Sequence, residues 1–455
     1  MTAVPSAAEE TAPETEPELM DAVPELDFGG EDFTFLAADM YGAQSLVEGL
    51  TGEVYNDATY NVEVYAEERL NVNISEVLSP TGSMNATVVK LATSNDTTYD
   101  TISMTDRESV SVAMQGVFHP MAEIPYVDLK QRYWGDGLTE DLSIGGKEYF
   151  AISSFNLYTI ERTAFVLFNH AVADKYNIEV PMEAAFNGTW TKDMFESYGS
   201  IATVDLNGDG IMDASDSYTY GCTDARDIAQ KFLYAAGLKW VDIGDDGLPY
   251  ASFYGNETVV DVVDWTTKIF YGDDSVPRYA YSSEFDNINA LYELFVTDRE
   301  LECVAEFRNM PLFREMPSDF SILPMPKYSD TQQRYYSYCN NGIFSMVPIT
   351  ALNLDKAGAV QEVMCCEGYK KMLPAYIEAT MKNKIARNQE SGDMIEVIYD
   401  TRTYDLGKLY LNTFFGGVGD SQKAGKSVVP TLAAQQSRID SALEKTIASL
   451  LGTGE

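Results

Sequence analysis

The chain has 455 residues, of which 45% are hydrophobic, so it is long enough for two or three domains with their own cores. Its 71 acidic residues against 31 basic residues give a formal net charge of −40, which excludes nucleic acids as partners and disfavours anionic membrane surfaces. The sequence contains two histidines, His119 and His170. This number disfavours histidine-based zinc sites and histidine acid–base catalysis.

Residues 1–30 are predicted to form a disordered linker. They are rich in Pro, Glu, Ala and Thr, and this composition buries too little apolar surface to fold. We expect the linker to follow an export signal and lipid-anchoring site that have been removed, although an acidic tail on a cytosolic protein has a similar composition. No apolar run is long enough to predict a membrane-spanning helix.

Strands and helices alternate in the next part of the chain. Residues 33–39, 71–80 and 99–105 have strand patterns, and residues 58–70 and 84–94 between them have helical spacing. This order predicts βαβ units and a mostly parallel sheet that is covered on both faces.

A second lobe is predicted to begin after Gly146. Two strands and three helices are expected there, over residues 148–155, 163–169, 189–202, 225–236 and 258–270. Residues 354–451 are predicted to be almost wholly helical, with an interruption near Gly416 and Gly417. The two adjacent cysteines in this region, Cys365 and Cys366, are expected to be buried thiols.

Four phrases occur in an order that is typical of one family. They are MAEIPYVDLKQRYWGD (121–136), TAFVLFNHAVADKYNIEVP (163–181), SDFSILPMPKYSDTQQRYYS (318–337) and ARNQESGDMIEVIYDTRTYDLG (386–407). On these phrases the chain resembles extracellular solute-binding protein family 1, the ligand-capturing lipoproteins of ABC importers in Gram-positive bacteria. The resemblance extends from about residue 33 to 450, but the lipidated N-terminal cysteine of the family is absent.

The resemblance implies an α/β, two-lobed, periplasmic-binding-protein-like (type II) fold with a hinge, an interlobe ligand cleft and a helix-rich C-terminal region. We expect residues 31–157 and 290–338 to form the first lobe, and residues 158–289 and 339–455 the second. The implied function is to capture a carbohydrate, with an oligosaccharide favoured by the aromatic content, and to deliver it unchanged to permease subunits. The protein is expected to act as a monomer on the outer face of the membrane.

Ligands of open α/β sheets bind beyond the carboxyl ends of the strands. Asp39 and Tyr41 follow the first predicted strand, and Asp106 and Arg107 follow the third, so we expect these four side chains to bind ligand. Sugars also stack on aromatic rings, and further candidates lie near the expected crossovers or at a helix end, although the same rings are typical of a core. These candidates are Tyr133, Trp134, Trp240, Tyr336, Tyr338 and Asn340.

The segment DLNGDGIMDASD, residues 205–216, has the spacing of a calcium-binding loop. Side-chain oxygens occur at positions 1, 3, 5, 9 and 12, and Gly210 stands at the sharp turn. The predicted ligands of a structural Ca²⁺ are Asp205, Asn207, Asp209, the carbonyl of Ile211, Asp213 and Asp216. The alternative is a surface turn rich in Asp, Asn and Gly.

Two other functions remain open at this point. A glycoside hydrolase also places two carboxylates in an aromatic groove, but no pair of carboxylates on successive barrel strands is evident here. A surface adhesion protein stiffened by the calcium loop is the second alternative. Within the binding-protein interpretation, peptides, polyamines and metal chelates are possible ligands besides sugars.

Overall fold

Two mixed sheets divide the chain into two lobes. The computed structural model describes residues 19–452 apart from 41, 81, 136–137, 223–226, 273–287, 314–315 and 381–388. Strands occupy Glu31–Asp39 (β1), Val72–Pro80 (β2), Thr101–Thr105 (β3), Phe118–His119 (β4), Ala164–Asn169 (β5), Tyr218–Cys222 (β6), Val241–Ile243 (β7), Pro249–Ala251 (β8), Glu300–Glu306 (β9), Phe320–Leu323 (β10), Ser337–Tyr338 (β11), Ile343–Pro348 (β12) and Arg402–Thr403 (β13).

Helices cover both sheets and form most of the C-terminal region. They occupy Val54–Leu70 (α1), Met84–Ser94 (α2), Asp106–Ala113 (α3), Leu138–Leu142 (α4), Tyr158–Glu161 (α5), His170–Tyr176 (α6), Met182–Phe186 (α7), Lys192–Ser197 (α8), Ile228–Ala235 (α9), Glu257–Tyr271 (α10), Ile288–Val296 (α11), Leu354–Glu367 (α12), Leu373–Thr380 (α13), Gln389–Asp400 (α14), Leu406–Lys423 (α15) and Val429–Leu451 (α16). None of the helices in the described part of the chain combines the length and hydrophobicity needed to cross a membrane.

The first sheet has the strand order β2-β1-β3-β12-β4. β1 lies parallel to β2 and β3, while β12 runs antiparallel to β3 and β4. Phe33 and Phe35 of β1 belong to one core cluster, and Leu36 and Ala38 belong to another, so both faces of this strand are buried. This explains the nearly continuous apolar run of the strand, and it confirms the predicted βαβ beginning of the chain.

The second sheet has the order β10-β5-β9-β6. β5 lies antiparallel to β9 and β10, and β6 lies parallel to β9. The three helices expected in this lobe are present as α8, α9 and α10, and Thr191 caps α8 by accepting a hydrogen bond from the backbone N–H of Met194. Of the predicted strand 148–155, only the bridge between Ala151 and Ser345 forms.

The pairing of the late strands differs from the expected lobe boundaries. β9 and β10, which lie within residues 290–338, pair in the second sheet and not in the first. β12, which lies within residues 339–455, pairs with β3 and β4 in the first sheet. These pairings join residues that are far apart in sequence, so local patterns did not reveal which sheet each strand enters.

Two local predictions also differ from the structure. Residues 19–30 do not form a free linker, because Val23 is buried in the first lobe and Asp21 forms a 2.8 Å salt bridge with Arg69. The predicted interruption at Gly416 and Gly417 is wrong, since α15 continues through both. A Cβ atom on Gly417 would lie 3.2 Å from Cγ2 of Thr431, so glycine here allows α16 to approach closely.

Candidate ligand site between the lobes

The carboxyl end of β3 forms one wall of the gap between the lobes. Asp106 begins α3 there and is buried, while the side chain of Arg107 is exposed. The backbone N–H of Arg107 donates to Oδ1 of Asp106 at 2.8 Å, and the hydroxyl of Tyr404 donates to Oδ2. The first-lobe carboxylate is thus held by a tyrosine that follows β13.

The loop after β1 lies beside the chain segment that crosses between the lobes. Asp39 is exposed at the end of the strand, and Tyr41 lies outside the described residues. Gly42 has φ +78°, and a Cβ atom there would lie 2.2 Å from the ring of Tyr158. Only glycine permits this approach, so the Tyr158 ring lies at the same edge of the sheet as Asp39.

Glu306, at the carboxyl end of β9, forms the opposite wall. Its carboxylate lies 3.0 Å from Nη1 of Arg162, 3.0 Å from Nε of Arg308 and 3.6 Å from Nζ of Lys231. It also accepts a 2.9 Å hydrogen bond from Nδ2 of Asn340. Burial by itself raises the pKa of Glu306, but the three cations outweigh burial and hold that pKa below its ordinary value.

Lys408 of α15 connects the two walls. Its Nζ is buried, donates to Oδ1 of Asn340 at 2.7 Å and lies 5.0 Å from the centre of the Tyr338 ring. Burial lowers the pKa of Lys408 to about 8, and the charges of Asp106, Asp227 and Glu306 oppose that shift. We call this group the interlobe cluster. It consists of Asp106, Arg162, Lys231, Glu306, Asn340 and Lys408.

A cavity of about 1130 Å³ opens beside the crossing segments. Both lobes contribute to its lining, which includes Asp128 from the first lobe and Lys239 from the second. Asp141 in its wall accepts a 2.9 Å hydrogen bond from the backbone N–H of Tyr404, whose hydroxyl reaches Asp106. Tyr404 therefore connects the wall of this cavity to the interlobe cluster. Tyr336, half-buried, is the aromatic side chain in the cavity lining.

The predicted aromatic pair Tyr133 and Trp134 lies in the core of the first lobe. Both side chains are fully buried. The hydroxyl of Tyr133 donates to Oε1 of Glu362 at 2.5 Å, and Nε1 of Trp134 donates to Oε2 at 2.7 Å. Their polar atoms therefore bind a carboxylate of α12, and the rings do not face the gap between the lobes.

Trp240 and Tyr338 are also core side chains. Trp240 packs edge-on against Phe253 at 5.5 Å, and its backbone N–H donates to Asp405 at 2.6 Å. Tyr338 stacks on Tyr234 with 4.6 Å between ring centres. Tyr338 borders the interlobe cluster through Lys408.

Of the predicted site residues, the structure brings Asp106 and Asn340 into the interlobe cluster. Arg162, Lys231, Glu306 and Lys408 were missed. One signal for Glu306 is available in the sequence, because ELECVAE places three glutamates at alternate positions of an apolar strand and therefore on one buried face. A buried carboxylate requires a partner, and Lys231 within the apolar run of α9 is a matching cation.

The calcium-type loop 205–216 forms a turn held by its own carboxylates. Asp205 accepts from the backbone N–H groups of Gly208 at 2.6 Å and Gly210 at 2.8 Å. Asp216 is fully buried and accepts from the backbone N–H groups of Leu206 and Asp213, each at 2.8 Å. Within the described part of the chain, no three His, Cys, Asp or Glu side chains are grouped to hold a metal ion. The carboxylates thus point at amides and do not converge on one point.

Comparison with solved structures finds proteins that share this fold. UspC from M. tuberculosis aligns with a TM-score of 0.61 at 14% identity, over 90% of this chain and 100% of that chain. An ABC substrate-binding protein from Listeria monocytogenes in complex with cycloalternan aligns at 0.53 and 12%, over 93% and 99%. The maltose-binding protein MalE from the same organism, in complex with maltose, aligns at 0.57 and 14%, over 93% and 99%.

No protein-family model matches the chain, and a comparison with curated protein sequences gave no match. At these identities the structural likeness establishes the fold. The chain has the two-lobed α/β fold of solute-binding proteins, as its sequence phrases led us to expect.

Proposed function

We propose that this protein is the substrate-binding component of an ABC importer, which captures a carbohydrate between its lobes and releases it unchanged to permease subunits. An oligosaccharide is the favoured ligand. The observation that carries the proposal is that the carboxyl ends of β3 and β9 meet at one polar cluster, where Lys408 interacts electrostatically with both Asp106 and Glu306.

The ligand site in this proposal lies at the carboxyl ends of β1 and β3, and its side chains are Asp39, Tyr41, Asp106 and Arg107. Tyr158 supplies a ring at the same edge of the first sheet. The structures of Listeria proteins with cycloalternan and maltose support a sugar as ligand, since they share this fold. Export, attachment as a lipoprotein and action as a monomer are part of the proposal.

A thermal-shift screen of mono- and oligosaccharides tests it directly. A ligand that binds only the folded state raises the melting temperature, by an amount that grows with ligand concentration. Arg107→Ala should abolish the shift while the ligand-free protein melts as before, because this side chain is exposed and has no salt bridge among the described residues. Small-angle scattering should show a decrease in radius of gyration when the sugar closes the lobes.

The rival functions give different results in the same experiments. A glycoside hydrolase would release new reducing ends from the oligosaccharides, and that result would replace the proposal. An adhesion protein would show neither a thermal shift nor a change in scattering with any sugar.

We also propose that loop 205–216 binds a structural Ca²⁺. The support is the order of oxygen-bearing residues from Asp205 to Asp216 around Gly210. A bound Ca²⁺ requires the ligand oxygens to point at one position, and these side chains do not do so. Binding therefore requires Asp205 and Asp216 to break some of their hydrogen bonds with backbone amides.

Calorimetric titration of the metal-stripped protein with Ca²⁺ tests this proposal. We expect one site with a dissociation constant on the order of 10⁻⁴ to 10⁻³ M, the range of extracellular modules. Asp209→Ala should remove it, and Asp245→Ala, in another acidic turn, should not. Equal titrations for both variants would show that the loop is only an Asp-rich turn.

A further inference from the structure

The residues around the gap between the lobes contrast with the composition of the whole chain. Acidic residues exceed basic residues by 71 to 31 overall. At the gap, by contrast, three basic side chains surround Glu306, and Lys408 interacts electrostatically with both Glu306 and the fifth basic residue. These basic residues are Arg107, Arg162, Lys231, Arg308 and Lys408.

The two carboxylates of the interlobe cluster, Asp106 and Glu306, already have donors on every oxygen. Oε1 of Glu306 accepts from Asn340 and faces Lys231, and Oε2 faces Arg162 and Arg308. Both carboxylate oxygens of Asp106 accept, from Arg107 N–H and from the Tyr404 hydroxyl. A ligand therefore finds few free acceptors on these two acidic side chains.

The donors have spare capacity. Lys408 carries three N–H groups, and its one hydrogen bond within the described residues goes to Asn340. Arg308, whose side chain is 30% exposed, uses Nε on Glu306, and its two terminal nitrogens have no partner in the described part of the chain. The exposed guanidinium of Arg107 is likewise without a side-chain partner there. The unused hydrogen-bonding capacity of these three side chains is cationic.

We propose that the captured sugar is acidic and that its anionic group, a carboxylate or a sulfate, is bound by Arg107 of the first lobe and Arg308 of the second. This inference rests on the proposed function. A guanidinium presents paired N–H groups that match the two oxygens of such an anion, and binding from both lobes couples the charge of the ligand to closure. Lys408, between the two walls, adds a buried positive charge behind the site.

Calorimetry with ligands matched in size and different in charge tests the inference. Trigalacturonate and its methyl ester form the carboxylate pair, and galactose 6-sulfate and galactose form the sulfate pair. We expect the charged member of one pair to bind at least about tenfold more tightly than its neutral partner, with affinity that falls as salt is added. The pair that shows the difference identifies the anionic group.

Variants connect the preference to named residues. Arg308→Gln and Arg107→Gln should each weaken binding of the charged sugar, and this loss should exceed the loss for the neutral sugar by about tenfold or more. Arg438→Gln, on the exposed face of α16, is the control and should change neither. Arg107→Gln remains informative if Arg308→Gln impairs folding, because Arg107 is exposed.

The possible outcomes separate the inference from the proposed function. Equal binding of charged and neutral sugars, or tighter binding of the neutral ones, would overturn the acidic ligand and leave the sugar-binding function intact. Binding of no sugar in this set or in the wider carbohydrate screen would overturn both.

Discussion

Glu302 and Glu306 lie on the same strand, β9, and on the same face of it, yet their surroundings are opposite. Glu306 lies at the end of the strand, and Arg162, Lys231 and Arg308 surround it. Glu302 is fully buried, and neither of its carboxylate oxygens has a hydrogen-bond partner among the described residues. The pKa of Glu306 is held below its ordinary value, whereas burial raises the pKa of Glu302 well above it.

The difference shows that the position of each glutamate along β9 determines which charge state is favoured in the folded protein. At the interlobe end of β9, cations from α9 and the crossing segments reach the carboxylate and keep it ionised. Inside the second lobe no cation among the described residues reaches Glu302, so the neutral acid is the form that the core tolerates. Three substitutions test this comparison.

The largest effect is expected for Glu306→Gln. Removing this charge leaves Arg162, Lys231 and Arg308 without their shared counter-ion, and we expect the free energy of unfolding to fall by about 3–5 kcal/mol. Urea denaturation at pH 7 measures the change. Glu302→Gln, the same substitution on the same strand, is the matched control. Equal losses for the two variants would contradict the comparison.

A smaller decrease in the free energy of unfolding is expected for Tyr404→Phe. This substitution extends the comparison to the first-lobe wall of the gap. The change removes the hydroxyl that donates to the buried carboxylate of Asp106, at an expected cost of about 1–3 kcal/mol. Tyr410→Phe on the same helical region removes a hydroxyl that has no partner in the described structure, so it should be nearly neutral. The measurement is the difference in melting temperature between the two variants. Equal melting temperatures would contradict a stabilising hydrogen bond from Tyr404 to Asp106.

A change of opposite sign in the free energy of unfolding is expected for Glu302→Gln. A carboxyl whose pKa is raised by folding contributes stability that is full below the unfolded pKa and is lost as pH rises toward the folded value. The amide does not ionise, so the variant should gain stability relative to the unmodified protein as pH rises from 5 to 9. Denaturation curves across that range test this, and a constant difference would show that Glu302 is ionised in the folded state.

The βαβ beginning of the chain was predictable because its periodicity is local and clear in residues 33–105. The lobe membership of β9, β10 and β12 was not, because it depends on pairing between distant residues. The same limit applies to the site. Trp134 is a candidate ligand-binding ring from its sequence position. In the fold, its indole N–H donates to Glu362, which lies 228 residues away in sequence, and no local pattern indicates that contact.

The placement of β12 in the first sheet has a consequence for biosynthesis. Thr101 of β3 bonds to the carbonyl of Met346 of β12, across 245 residues of sequence. While the ribosome is still making the second lobe, the edge of β3 has no neighbour on that side, and an uncovered strand edge readily pairs with other chains. The first lobe can therefore be completed only after the second lobe has been synthesised. The delay leaves the nascent polypeptide incompletely folded, which is the state that translocation of an exported protein requires.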